Sequence, residues 1–251
     1  MLSADQIIQY KECGYVIPDF VMPPEQIEAI KERHSLLVSA HPEFTDYCPA
    51  MLQYDEAFVE FCKSDDILNM VEQLIGPDIA LWNSSFFAKP AMNGKATPWH
   101  QDGEYWPIRP LATCTAWLAI DDSTSENGCL QVIKGSHREG RLFQHQTNSS
   151  PELTLNQELL EGEFDGSQAV DIALQQGQIS LHDVFLVHGS QPNRSVNSRR
   201  GMTMRYMPTT SIFDHKLAAR QYNNLQVPDH SNRKLYHMRG EDRSGENELV
   251  Y

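Results

Sequence analysis

From residue 79 onward the hydrophobic pattern of this chain changes period, and that change restricts its fold more than any other feature. Segments 79–89, 113–120, 130–133, 169–174, 178–181, 184–188 and 201–207 read as short strands, broken by Gly, Pro, Asn and Asp. Many short strands after a helical start predict a mainly β protein. A double-stranded β-helix (a jelly roll or cupin-like barrel) is the expected form, because closure removes exposed sheet edges. Ahead of it, Ser3-x-x-Gln6 is a capping-box pattern that opens a helix over 3–11. Gly14-Tyr-Val-Ile17 reads as a strand stopped by Pro18, and Pro23-Pro24-Glu25 opens an amphipathic helix offering Ile27, Ile30, Leu37 and Val38. Residues 40–62 read as irregular. A third helix runs from Ser64 to Gly76-Pro77 with Ile67, Leu68, Val71, Leu74 and Ile75 at helical spacing. These helices are expected to pack outside the barrel.

One domain is expected for 251 residues, with a helical part at 1–78, a barrel core at 79–210 and an extension at 211–251. The polar stretch 140–167 reads as an insertion over one barrel mouth, with a short helix near 153–160. The extension is polar, carries no interpretable motif, and either covers the pocket or meets another subunit. Lys and Arg number 20 against 34 Asp and Glu, a net charge of −14. Such a chain repels phosphate polymers and anionic lipid heads, so the expected partner is a small molecule rather than nucleic acid or membrane. The five cysteines, Cys13, Cys48, Cys62, Cys114 and Cys129, are scattered and form no C-x-x-C. No apolar run spans a bilayer, and the first ten residues lack a basic start before an apolar segment. A reducing cytoplasm is the expected compartment.

The chemistry concentrates in two stretches. His100 and Asp102 form an H-x-D pair in Thr97-Pro-Trp-His-Gln-Asp102, two positions apart, so both side chains can leave a strand end in one direction. A distant His188, in His188-Gly-Ser190, can close a triad around one metal. Two imidazoles and a carboxylate on one side of an octahedral ion suit non-haem Fe(II) oxygenases, which need open positions. The pair alone is common, and reads equally well as a hydrogen-bonded loop. The cation after His188 adds weight, because a guanidinium at Arg199 can hold a far carboxylate bidentately. Arg200, on the opposite strand face, reads as a surface cation.

With these residues in place, the chain resembles the phytanoyl-CoA dioxygenase family. The resemblance rests on His100-Gln-Asp102, Trp106-Pro-Ile-Arg-Pro110, Asn127-Gly-Cys129, Gly135-Ser-His137, His188-Gly-Ser190 and the Arg eleven residues later, in the family's order over about 3–210. It implies Fe(II), 2-oxoglutarate and O2 as cofactors, with His100, Asp102 and His188 as iron ligands. His182 shares a candidate face with His188, and is expected near the iron without binding it. Arg199 is the implied clamp for the distal carboxylate of 2-oxoglutarate, with Ser190 adding a hydroxyl, and Thr97 and Trp117 occupy positions that approach the cofactor in relatives. The implied reaction converts the keto acid to succinate and CO2 and hydroxylates a substrate C–H. Because Asp102 keeps a carboxylate where Gly or Ala would open a halide site, hydroxylation is expected over halogenation.

Tyr105, Trp106 and Arg109 follow the H-x-D turn and are candidate substrate residues. An aromatic pair could receive an ammonium and an Arg could hold a phosphonate or carboxylate, although Trp106–Pro110 also reads as a plain structural loop. The wording from His100 to Thr115 is similar to the bacterial branch that contains aminoalkylphosphonate hydroxylases, which implies a substrate like 2-aminoethylphosphonate. The same chemistry on an acyl-CoA, an ectoine-like amino acid or a natural product is the alternative. The rivals from other classes are a cupin-like metalloprotein without oxygenase activity and a binding module that has lost turnover.

Overall fold

The computed structural model describes residues 1–225 and 227–251. Its helical start follows from local chemistry. The Ser3 hydroxyl accepts from the Gln6 N–H at 3.2 Å while the Gln6 side chain accepts from the Ser3 N–H at 2.9 Å, and this completed capping box opens α1 (Ala4–Cys13). After β1 (Tyr15–Val16) comes α2 (Pro24–Ala40), which buries Ile27, Ile30, His34 and Leu37. The stretch expected to be irregular instead holds β2 (Tyr47–Cys48), the one-turn α3 (Met51–Tyr54) and a 3-10 helix over Glu56–Lys63. Helix α4 (Asp65–Ile75) buries Ile67, Leu68, Met70 and Val71. At about 1.5–3 kcal/mol for each fully buried aliphatic side chain, that face outweighs any difference in helix propensity along the segment.

The sheet-forming part follows with β3 (Ile79–Lys89), β4 (Thr97–His100), β5 (Ile108–Arg109), β6 (Cys114–Ala119) and β7 (Leu130–Ile133). Then come β8 (His145–Thr147), β9 (Gln157–Leu159), β10 (Ala169–Ile172), β11 (Ile179–Asp183), β12 (His188–Ser190) and β13 (Arg199–Pro208). The last segment adds β14 (Ile212–Phe213), α5 (His215–Leu225), β15 (Leu235–Arg239) and β16 (Leu249–Val250). The larger sheet runs β1-β11-β6-β13-β3-β15-β16 with β2 also on β3, and the smaller runs β10-β7-β12-β4.

Two-residue alternation sorts the central strands of the larger sheet into two faces. Met202, Met204 and Tyr206 of β13, Ala116 and Leu118 of β6 and Leu181 of β11 belong to the main core, shared with Ile27, Ile30, Ile67 and Val71 of the helices. The opposite face carries Arg199, Thr203 and Arg205, Thr115 and Trp117, and His182, and these side chains line one cavity. The smaller sheet closes it, with Leu130, Val132 and Ile172 packed beside Trp117 and Ala119.

Two more expectations are corrected. No helix forms near 153–160. Those residues contribute to the β8–β9 hairpin, in which Thr147 pairs with Gln157 and His145 with Leu159. Apolar residues two apart there, Leu153 and Leu155, suit a strand-like chain, and Gln157 and Leu159 are buried on either side of Glu158. The strand placed at 184–188 is a turn leading into β12: Asp183 accepts from the Phe185 N–H through its side chain and from the Leu186 N–H through its backbone carbonyl. The extension, whose role the sequence leaves open, holds α5 and adds β15 to β3 on the larger sheet.

Candidate active site

The two histidines of the proposed triad are brought together by strand pairing. His100 ends β4, His188 begins β12, and the two are direct cross-strand partners with ring centroids 4.2 Å apart. The His100 Nδ1 donates to the Pro98 carbonyl at 2.8 Å and the His188 Nδ1 to the Leu186 carbonyl at 2.9 Å. A carbonyl can only accept, so each neutral ring carries its proton on Nδ1 and presents a lone pair at Nε2. Asp102 starts the next turn, and its Oδ1 lies 3.6 Å from the His100 Nε2 and 3.9 Å from the His188 Nε2. These separations are too long for hydrogen bonds and leave room for an ion between the groups. The ligand atoms of His100, Asp102 and His188 all lie within 4.8 Å of one another, and all three residues are buried. This donor set fits a divalent ion with open positions.

Electrostatics favour the metal-ready protonation states. Burial, reinforced by His100, lowers the His188 pKa to about 3, which keeps the ring neutral. Burial pushes Asp102 up, but His188, His100, His182 and Arg205 more than offset it and hold the carboxyl well below its usual range. His182 Nε2 lies 3.7 Å from the other carboxylate oxygen, Oδ2. It backs the carboxylate and does not belong to the three-donor cluster. Its buried Nδ1 has no partner among the described residues.

The intervening Gln101 is wholly buried and points the other way along the strand. Its amide donates to the Phe185 and Arg141 carbonyls at 2.7 and 3.1 Å and accepts from the Phe143 N–H at 2.7 Å. The middle residue of the H-x-D motif thus anchors both ligands to neighbouring loops. Gly135-Ser-His137 does similar work for His188, since the Ser136 hydroxyl accepts from the Val187 N–H at 2.8 Å and the His137 ring donates to the Lys11 carbonyl at 3.0 Å.

Across the cavity lies Arg199, only 2% exposed. Its Nε and Nη2 donate to the Gly128 carbonyl at 3.2 and 2.5 Å, and its Nη1 to the Phe87 carbonyl at 3.2 Å. Burial lowers its pKa to about 10, so it stays charged at neutral pH. Neighbouring Arg200, on the other strand face, has a carboxylate partner in Asp121 at 2.8 Å. Arg199 has no carboxylate within ion-pair distance among the described residues, although its guanidinium lies 5.2 Å over the Trp117 ring. Two glycines make the arrangement possible. Gly128, at φ 78, aims its carbonyl at Arg199 from the Asn127-Gly-Cys129 turn, where a Cβ would lie 2.3 Å from the Gln191 carbonyl oxygen. A Cβ on Gly201 would lie 2.0 Å from the Trp117 ring, so only glycine lets the indole lie across β13.

The other expected residues divide. Thr97 and Ser190 pair across β4 and β12 and line the metal cavity with Trp117. Tyr105 and Trp106 are buried and line an adjoining pocket that shares Asp102, Phe87 and Arg205 with the first. Arg109 lines neither: Ile108 points inward from β5, so Arg109 points out, and its guanidinium donates to the Trp106 and Ile108 carbonyls. The adjoining pocket draws on stretches with no motif. Leu155, Asn156 and Gln157 come from the 140–167 insertion, and Val227, Pro228 and His230 from the extension. Gln157 ties the two, donating to the Leu225 carbonyl at 2.9 Å. Arg205 was also missed, although its even spacing from Arg199 on one strand was a readable signal.

A profile of the phytanoyl-CoA dioxygenase family matches residues 10–201. The chain belongs to the phytanoyl-CoA dioxygenase family. Membership makes iron and 2-oxoglutarate the cofactors to be fitted, and the buried triad and Arg199 offer suitable donors for each. A Dictyostelium discoideum protein named as a homolog of phytanoyl-CoA dioxygenase domain-containing protein 1 is 32% identical over 178 residues, covering 70% of this chain and 63% of that protein. A Stutzerimonas stutzeri protein named a probable alpha-ketoglutarate-dependent hypophosphite dioxygenase is 26% identical over 155 residues, covering 61% of this chain and 54% of its own length. The chain therefore spans less than two thirds of either relative. The solved structure of the non-heme monooxygenase ThoJ shares the fold with a TM-score of 0.74 at 23% identity, covering 98% of this chain and 88% of that one. Among the described residues no helix is long and apolar enough to cross a membrane.

Proposed function

We propose that this chain is an iron- and 2-oxoglutarate-dependent dioxygenase that hydroxylates an aliphatic C–H of a small polar metabolite. The observation that carries the reading is one cavity lined by both the buried His100–Asp102–His188 cluster and a buried guanidinium, Arg199, whose hydrogen-bond partners are backbone carbonyls. His100, Asp102 and His188 would hold the iron, and the two facing sheets are read as the double-stranded β-helix of this family. When bound, iron and the keto acid would supply O2 activation.

The chain's own residues orient and enclose. Arg199 pairs with the distal carboxylate of 2-oxoglutarate, and Ser190 and Thr97 offer hydroxyls along the same wall. Trp117 and Leu130 exclude water from that end. The metal cavity and its neighbour adjoin through Asp102, Phe87 and Arg205, so a molecule held in one can reach the other. Tyr105 and Trp106 form the substrate side. An aminoalkylphosphonate such as 2-aminoethylphosphonate is the candidate substrate, supported by the small phosphorus oxyanion in the name of the Stutzerimonas relative. The five buried, unpaired cysteines support a reducing compartment such as the cytoplasm.

The test is conversion of 2-oxoglutarate to succinate with added Fe(II). It should be lost with EDTA and stimulated when 2-aminoethylphosphonate or its N-methylated forms are supplied. Metal binding without any succinate would return the chain to the class of non-oxygenase cupins. Succinate formation with no response to these phosphonates would remove the substrate and keep the chemistry.

A further inference from the structure

We propose that Arg205 is the substrate's anion receptor, and that the substrate carries a small oxyanion head, phosphonate or carboxylate, whether or not it also carries an amine. This inference rests on the oxygenase reading and names the substrate class for it.

Arg205 is 5% exposed and lies on the cavity face of β13, where it lines both the metal cavity and the adjoining pocket. Its Nη1 donates to the Ser85 hydroxyl at 2.6 Å, and its buried Nε has no partner among the described residues. Its guanidinium lies 5.1 Å over the Trp106 ring. No carboxylate forms an ion pair with it among the described residues, and Asp102, whose pKa it helps to lower, belongs to the metal cluster. A buried charge with an open donor is costly unless something anionic completes it.

A second guanidinium deepens the positive field. Arg233 is 5% exposed, and it donates to His230 Nδ1 at 2.9–3.1 Å and to the Pro49 carbonyl at 3.1 Å. That same carbonyl accepts from the Ser85 hydroxyl, which links the two arginines through one short network. Asp229 is the acidic residue whose field reaches Arg233, and its carboxylate accepts from the Ser231 N–H at 2.8 Å. Because His230 accepts at Nδ1, the neutral ring carries its proton on Nε2, and this ring also lines the pocket. The pocket therefore offers N–H groups from Arg205 and His230 and holds Asp102 as its one acidic lining residue among the described residues. An ammonium would meet the Arg205 guanidinium there, with Arg233 behind it outside the pocket lining, and the Trp106 face that could receive it already carries Arg205. This reverses the expectation that the aromatic pair receives a cation. An oxyanion would complete the site.

The experiment measures binding by calorimetry to the anaerobic, Fe(II)- and 2-oxoglutarate-loaded protein, with ethylphosphonate, butyrate, 2-aminoethylphosphonate and ethylamine as probes. At least one of ethylphosphonate and butyrate should bind, which one distinguishing phosphonate from carboxylate. 2-Aminoethylphosphonate should match ethylphosphonate within a few-fold, and ethylamine should not bind. Arg205→Gln should weaken the bound anion by at least about tenfold, His230→Phe should weaken it less, and Arg205→Lys should restore part of the loss. The inference is overturned if ethylamine binds as well as the anions. It is equally overturned if neither anion binds wild type at millimolar concentration, or if Arg205→Gln leaves anion affinity unchanged. Should Arg205→Gln lose 2-oxoglutarate while His230→Phe leaves the anion untouched, Arg205 serves the co-substrate and the inference fails while the oxygenase reading stands. Should wild type fail to bind 2-oxoglutarate at all, the oxygenase reading fails, and the same anion titration on the metal-loaded protein still decides the role of Arg205.

Discussion

The two ends of the cavity are built from different materials. The end proposed for 2-oxoglutarate is made of strands: Arg199 on β13, Trp117 on β6, Thr97 and Ser190 on β4 and β12. Each of these strands is hydrogen-bonded to neighbours, so every side chain is placed by ladder register and backed by Gly128 or Gly201 where space is tight. The end proposed for substrate is made largely of connections, with 155–157 from one side and 227–230 from the other meeting over Trp106 and Arg205. On the proposed function, the contrast teaches that the common chemistry falls to the strand-built part and the choice of substrate to the connections.

Breaking the shared centre should have the largest effect. Asp102→Ala should reduce succinate formation more than about 100-fold with any substrate, read together with loss of stoichiometric Fe(II) binding. Next comes the strand-built end. Arg199→Ala should weaken 2-oxoglutarate by about 1.5–3 kcal/mol, or roughly 10–150-fold in Kd, with substrate KM little changed. Gly201→Ala should follow it in kind, because the new methyl displaces the Trp117 ring. Overpacking should cost about 1–3 kcal/mol in thermal unfolding and raise the 2-oxoglutarate requirement. For the connection-built end, Gln157→Ala removes its hydrogen bond to Leu225 and should cost about 1 kcal/mol. It should raise substrate KM several-fold with unchanged 2-oxoglutarate affinity; an equal loss of both would erase the distinction between the two ends.

The smallest effect lies outside both. Burial lowers the His34 pKa to about 4, and its ring packs on Phe86 with centroids 4.2 Å apart. Unfolding frees it to bind a proton near its ordinary value of about 6.5, so the unfolded state takes up protons first as pH falls. Its contribution is therefore complete above about pH 6.5 and declines as pH drops toward 4. His34→Phe should leave stability at pH 7 nearly unchanged and recover about 1–2 kcal/mol at pH 5, measured by denaturant unfolding at both pH values, with cofactor binding unaffected.

How much of this was legible in the sequence follows the same division. His100, Asp102, His188 and Arg199 sit in short motifs whose spacing survives folding, because each motif lies within or beside one strand. The pairing of His100 with His188 was not written in either motif; it depends on the register of β4 against β12. Arg109 reads either as a substrate residue or as part of a structural loop, and the register that turns it outward on β5 is not written in its motif. The short helix expected near 153–160 fails because an apolar pattern two residues apart takes its meaning from a pairing partner, here 145–147. Tyr47, Gln157 and His230 carry no local signal at all. They become neighbours only when the ends of the chain close over the sheet.

Arg199 and Arg205 stand six residues apart on a single strand held by β3 on one side and β6 on the other. At about 3.3 Å per residue, their backbones are separated by roughly 20 Å. On the roles proposed for the two arginines, that interval behaves as a fixed caliper: keto acid, ion and second molecule would fit end to end between two posts that cannot slide. The irregularity in pairing between β13 and β3 falls between Arg205 and Tyr206, just past the second post, so the ladder between the two arginines runs unbroken and the gauge is set by an uninterrupted stretch of strand.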